Sequence, residues 1–174
     1  MTHWSRWSSI VMCALVATIV ALPTSAHAWI AFAKVTASTG VIEGDATEQG
    51  FEKQISVLGL GNSMERPFTT TGIAGALKMG PLQLVKKFDI ATPKLLAAIA
   101  TATSLIKVEI TIFKKTTTNT TAPAFKIVLT NAQIVQMDST YDPAADPSAV
   151  EKIEMIYTKL EWTDLISGTT RIIQ

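Results

Sequence analysis

Past residue 28 the sequence contains no histidine and no cysteine; His3, His27 and Cys13 account for all of them. For the chain downstream, that absence excludes a Ser-His-Asp or Cys-His nucleophilic site, the usual zinc ligand sets and any internal disulfide. Stability must then come from packing or from assembly. Charge is in short supply as well. Arg6 is the only charged residue among the first 28, and the 14 basic residues that remain balance the 14 acidic ones. A neutral domain is not built as a dedicated nucleic-acid binder. The apolar run from Ile10 to Leu22 falls short of the ~20 residues needed to cross a bilayer.

What stands at the start is the pattern of a secretory leader. A short, weakly basic segment with Arg6 precedes the apolar run, and Pro23-Thr24-Ser25-Ala26-His27-Ala28 follows it, placing Ala26 and Ala28 at the −3 and −1 positions of a cleavage site. Residues 1–28 are therefore expected to be a cleavable signal peptide, and residues 29–174 one domain beginning at Trp29, secreted or periplasmic, with no membrane span left after cleavage. No fused domain is expected beyond Gln174. About two-thirds of the unfolded surface of a domain this size is buried on folding.

The domain reads as mostly β. Trp29 to Val35 is a first strand followed by a turn at Thr39-Gly40. Phe51 to Leu60 is half-buried, with Ile55 and Val57 on one face. From Gly59 to Gly80 the pattern breaks into a long Gly-, Pro- and Thr-containing excursion, which in a small domain is usually functional. Leu77 to Phe88 returns to strand. Ile106, Val108, Ile110 and Ile112 alternate with more polar residues, Phe125 to Leu129 forms a returning arm, and Asn131 to Met137 continues it through a bend. Asp138 to Ser148 reads as a loop and Glu151 to Trp162 as a long strand, with a short terminal strand after Leu165. Seven or eight strands with one helix make a mainly β barrel or sandwich.

The helix is the one interruption of the β pattern. Thr92 is placed to accept a hydrogen bond from a first-turn N–H, and Pro93 costs nothing at a helix start. Leu95, Leu96 and Ile99 are expected on one side, and Lys94, Ala97, Ala98 and Thr101 on the other. This second face is small rather than charged. It reads either as a surface meeting a neighbouring subunit or as alanine serving helix propensity alone.

The order of these segments resembles the haemolysin-coregulated protein (Hcp) family, the tube subunits of bacterial type VI secretion. The resemblance spans about Phe32 to Trp162. Its most specific piece is Lys86-Lys87-Phe88-Asp89 leading into Thr92-Pro93-Lys94-Leu95-Leu96. The resemblance implies an Hcp-like β-barrel of two packed sheets with one flanking α-helix, no catalytic signature and no cofactor. It further implies a hexameric ring, rings stacking into a tube that a sheath expels, and a lumen carrying effector proteins; effectors, spike and sheath components are the implied partners. The excursion corresponds to a loop that meets neighbouring subunits, which makes Arg66, Phe68, Thr69, Thr70 and Thr71 candidate contacts; Ala97, Ala98 and Thr101 are candidates separately, from the small face of the helix. Such tube subunits need no cleavable leader. Two readings follow: a start site downstream of residue 28 with secretion by the type VI machinery, or an exported binding or carrier module used outside the contractile machine.

Other signals are weaker. Asp138, Asp142 and Asp146 lack calcium-loop spacing. Gly59-Leu60-Gly61 lacks the third glycine of a phosphate loop. Asn119-Thr120-Thr121 fits a glycosylation sequon and reads as loop chemistry. Glu43 with Asp45, and Glu151 with Glu154, offer paired carboxylates for a glycoside hydrolase, with nothing else in support. Lys86 and Lys87 read as solvated lysines or as guards of a strand edge.

Overall fold

The computed structural model of the chain describes residues 29–68, 70, 72–115, 121–145 and 149–174. The expected cleavage site at Ala26 and Ala28, together with Thr69, Thr71, Asp146 and the Asn119-Thr120 part of the sequon, lies outside them. Strands β1 (Trp29–Ala37), β2 (Gly40–Ile42), β3 (Ile55–Gly61), β4 (Met64–Glu65), β5 (Lys78–Met79) and β6 (Leu82–Lys87) precede helix α1 (Thr92–Ala100). After it come β7 (Leu105–Lys115), β8 (Thr121–Tyr141), β9 (Ala149–Ile156), β10 (Lys159–Asp164) and β11 (Thr169–Ile173).

The strands close into a barrel because β8 is long enough to serve two partners. Its first part pairs with β7 from Lys115↔Thr121 to Leu105↔Ala132, and its second part pairs with β9 from Gln133↔Ile156 to Tyr141↔Ala149. With the order β7-β1-β3-β6-β9 between them, six strands form a closed ring and every barrel pairing is antiparallel. The change of partner falls beside Asn131, whose φ of 50° lies in the left-handed region that asparagine tolerates. This is the bend expected after Asn131. The two packed sheets expected from the sequence are opposite walls of this single sheet.

The expected strand from Glu151 to Trp162 is present as two pieces. Ile156 pairs with Gln133 and Lys159 with Thr130, so β9 and β10 follow one register along β8, and only Tyr157 and Thr158 interrupt it, opposite the bend. Thr158 bridges the gap by donating both its N–H (3.2 Å) and its hydroxyl (3.1 Å) to the Thr130 carbonyl. Beyond it, β11 pairs with β10 as an outer strand.

Period-two alternation fills the barrel. Ala31, Ala33 and Val35 of β1, Ile55 and Val57 of β3, Leu82 and Leu84 of β6, Val108 and Ile110 of β7, Ile127 and Leu129 of β8, and Ile153 and Met155 of β9 all belong to one buried cluster. Ile106 departs from its expected inward place and is half exposed. Lys107 pairs with Thr36 but Leu105 with Ala37, so Ile106 is an extra residue against β1 and turns outward. A smaller cluster of Phe32, Phe113 and Phe51, with ring centroids 4.8–6.1 Å apart, fastens the segment before β3 to the outside of the barrel. Between β3 and β6 the excursion stands as an arm: β4 and β5 pair at its root (Met64↔Met79), and a bridge joins Phe68 to Ala74.

Candidate functional site

The alternation that directs Leu82 and Leu84 into the barrel continues to Lys86, and the phase that directs Met155 and Ile153 inward continues to Glu151. These two are cross-strand partners in the β6–β9 ladder, at the end of the barrel beneath α1. Both are completely buried. The three N–H donors of Lys86 Nζ are shared among four acceptors: Glu151 Oε2 (2.6 Å), Asp89 Oδ1 (2.8 Å), the Lys87 carbonyl (2.7 Å) and Thr92 Oγ1 (3.1 Å). The Thr92 hydroxyl in turn donates to Glu151 Oε2 (3.0 Å). Glu151 Oε1 has no hydrogen-bond partner among the described residues. One ammonium thus faces two carboxylates out of reach of water, a costly arrangement that only close, many-sided hydrogen bonding makes tolerable.

Two expectations are corrected here. Lys86 is neither solvated nor at an exposed edge, because its strand has neighbours on both sides and its phase points inward. Thr92 is not the cap of the helix. Ala91 occupies the N-cap position without a side-chain bond, while Asp89 Oδ1 accepts the Ala91 N–H (2.8 Å) and Thr92 Oγ1 accepts the Asp89 N–H (3.2 Å). Asp89 therefore holds both the turn and the lysine. Residues Lys86, Asp89, Thr92 and Glu151 weld the end of β6, the start of α1 and the start of β9 together.

The paired carboxylates considered from the sequence are not assembled into an acid/base pair. Glu151 and Glu154 lie on opposite faces of β9: the first is sealed inside, whereas the second accepts from Gln83 Nε2 (3.0 Å) and pairs with Lys152 (3.0 Å). Glu43 meets Lys53 at 3.4 Å on the surface. Asp142 Oδ1 accepts the Ala144 N–H (2.9 Å), which is turn chemistry.

The candidate contact residues fall into two places. On the arm, Phe68 is 84 % exposed and Ile73 68 %, with Thr70 and Arg66 also exposed. Arg66 Nη1 donates to the Gly75 carbonyl (3.3 Å) and the Gly75 N–H to the Pro67 carbonyl (2.7 Å), so the legs are tied to each other near the tip. On the helix, Ala97 and Thr101 are exposed beside Lys94 and line a groove of about 350 Å³ against Thr39, Val41 and Ile42 of the first hairpin.

Ala98 is a correction to the expected face. It is 5 % exposed and belongs to the core with Leu95 and Ala91, whereas Leu96 is 58 % exposed. The small Ala98 side chain lets the helix lie close on β8, and Leu96, one residue on from Leu95, points away from the barrel. The helix therefore presents a mixed outer surface of Leu96, Ala97 and Thr101 rather than a uniformly small one. Asp89, Thr92, Glu151 and Tyr157, treated below, were not singled out for these roles by the sequence. The signal for Glu151 was its phase with Ile153 and Met155, which places a charge on a buried face.

Residues 32–163 match the family described as "Type VI secretion system effector, Hcp". A curated relative, "Major exported protein" of Pseudomonas aeruginosa, is 29 % identical over 134 residues, covering 73 % of this chain and 78 % of that protein. Among solved structures, the fold superimposes on the Hcp1 protein from E. coli EAEC 042 with a TM-score of 0.75 at 22 % identity, over 83 % of this chain and 97 % of the other. Secreted protein Hcp3 from Pseudomonas aeruginosa gives 0.68 at 25 % identity, over 84 % and 98 %.

Proposed function

The chain belongs to the Hcp family and is a tube subunit of the type VI secretion type, and on that premise we propose that it acts as a non-catalytic structural protein closing into a hexameric ring. The observation that supports ring closure is the arm. Phe68 and Ile73 are held out in water by a braced hairpin, and apolar side chains so displayed are stabilised when a partner surface covers them. The partner is a second copy of the chain, and because the arm docks on a different face of that copy the contact is heterologous and allows a ring to close. Thr70 is exposed on the same arm as Phe68, and Ala97 and Thr101 with the groove beside them offer a receiving face. The ring lumen is the place for an effector, and stacked rings, spike and sheath components are the larger assembly.

Residues 1–28 are proposed as a leader cleaved after Ala28, leaving residues 29–174 as the working domain outside the cytoplasm. The alternative that such a leader suggests is a second use of the same fold, as an exported carrier that does not enter a contractile tube. Native mass spectrometry and negative-stain images at micromolar concentration test the ring; a purely monomeric species overturns it. N-terminal sequencing of protein recovered from the cell envelope and medium tests the leader, with Trp29 as the expected first residue. Co-purification of sheath protein is expected for the contractile use and absent for the carrier use.

A further inference from the structure

The arm leaves the barrel after Gly61 and returns at Gly80, and its two legs touch at the root. The Gly80 N–H donates to the Ser63 carbonyl (2.9 Å), and a Cβ on Gly80 would come within 2.1 Å of Ser63 Oγ, so the legs approach as closely as a glycine permits. Such a root holds the hairpin together but does not determine the direction in which it projects. Direction requires a contact from the barrel body that reaches both legs.

Tyr157 makes that contact. It lies in the break between β9 and β10, opposite the bend of β8, where its side chain is freed from the strand alternation. Its ring packs against the barrel core, and its hydroxyl reaches Asn62 Oδ1 (3.3 Å) on the outgoing leg and the Gly80 carbonyl (3.4 Å) on the returning leg. We propose that Tyr157 is a positioning residue for assembly, which sets the angle at which the arm leaves the barrel and so where Phe68 meets the neighbouring copy. This inference rests on the ring-forming reading above. Burial raises the tyrosine hydroxyl above its ordinary range, outweighing the lowering effect of the bond to Asn62, so it remains a protonated donor throughout the neutral range. The single O–H is shared between these two acceptors and both contacts are long for O–H···O bonds, so each is weak. Losing them leaves the barrel folded and releases the arm.

The test is Tyr157→Phe, which keeps the ring in the core and removes only the hydroxyl, compared with wild type and with Phe68→Ser. Two readouts are needed: the rate of limited trypsin cleavage at Lys78 in dilute protein, Arg66 being protected by the proline that follows it, and the concentration at which rings half-assemble. The expected result for Tyr157→Phe is faster arm cleavage together with an assembly midpoint raised by about fivefold, the factor carried by one lost hydrogen bond. For Phe68→Ser, assembly should weaken while the cleavage rate stays at the wild-type value. Unchanged cleavage in Tyr157→Phe overturns the positioning role, and faster cleavage with an unchanged midpoint overturns its link to assembly. If wild type forms no ring at any concentration, the ring reading falls and the link to assembly with it, while the cleavage comparison still decides whether Tyr157 holds the arm.

Discussion

Beneath α1, the charged groups of Lys86, Asp89 and Glu151 are shut away from water, whereas on the arm Phe68 and Ile73 stand in it. Each region reverses the usual placement of its residue types, but they are compensated differently. At the junction the compensation lies inside the chain: four acceptors surround one ammonium, and the strand, helix and following strand are held in one geometry. On the arm none of the described residues covers the phenyl ring of Phe68, and in the proposed ring its compensation lies in a second molecule. The junction therefore governs whether the protomer folds as it does, and on the ring-forming proposal the arm governs what the folded protomer joins.

Substitutions in the two regions, and one outside them, break or sharpen that contrast. Lys86→Met leaves two buried carboxylates without their cation and is expected to destabilise the protomer by about 3–5 kcal/mol, measured by urea denaturation. Replacing Lys86, Asp89 and Glu151 together by apolar residues of similar volume should recover most of the loss. Failure to recover would mean that the junction needs its charges for more than mutual neutralisation. Next in size, Ala98→Leu forces extra volume between α1 and β8 and should cost about 1–3 kcal/mol, while Ala97→Leu on the outer surface stays within about 0.5 kcal/mol. Equal effects on denaturation would refute the inward placement of Ala98.

Phe68→Ser reverses the pattern of Lys86→Met. Protomer stability should change by less than about 0.5 kcal/mol, while ring assembly weakens by about tenfold or more if the ring of Phe68 fills a pocket on its neighbour. Sedimentation velocity over a concentration series reads the second effect.

The smallest expected effect is at Glu109, a charged group outside both regions. Its partial burial acts to raise its pKa, but hydrogen bonds and charge from Lys126 (2.9 Å) and Lys107 (3.1 Å) prevail and hold it below the ordinary carboxylate value. A carboxylate with a depressed folded-state pKa adds stability above its unfolded value, about 4.3, and that stability is lost as pH falls through the folded value. Glu109→Gln should therefore cost less than about 1 kcal/mol at neutral pH. The difference from wild type should disappear in the acid range, and a constant difference from pH 7 to pH 3 would count against the ion pairs as its source.

Much of the barrel was legible because its signal is local. The alternation in β3, β6 and β7, the bend after Asn131 and the helix at Thr92-Pro93 can all be read from neighbouring residues, and the arm announced itself by its glycines and threonines. The helix face was less legible, because a nine-residue helix with apolar residues at 95, 96, 98 and 99 supports two phases. Contact with β8 selected the one that buries Leu95 and Ala98. The polar junction was not legible as a unit, since a Lys-Lys pair and an isolated glutamate carry no mark of burial unless their phase is followed to the end of the strand.

The sequence by itself determined that this is a mainly β domain without histidine or cysteine chemistry, because composition and period-two patterning do not depend on how distant segments meet. It also carried the family resemblance, since the order of strands, arm and helix is written along the chain. Only the tertiary structure decided that Lys86 meets Glu151, 65 residues away, that Asp89 rather than Thr92 holds the helix start, and that Tyr157 reaches both legs of the arm. Those meetings follow from strand register, and register is settled by closing the barrel around its core.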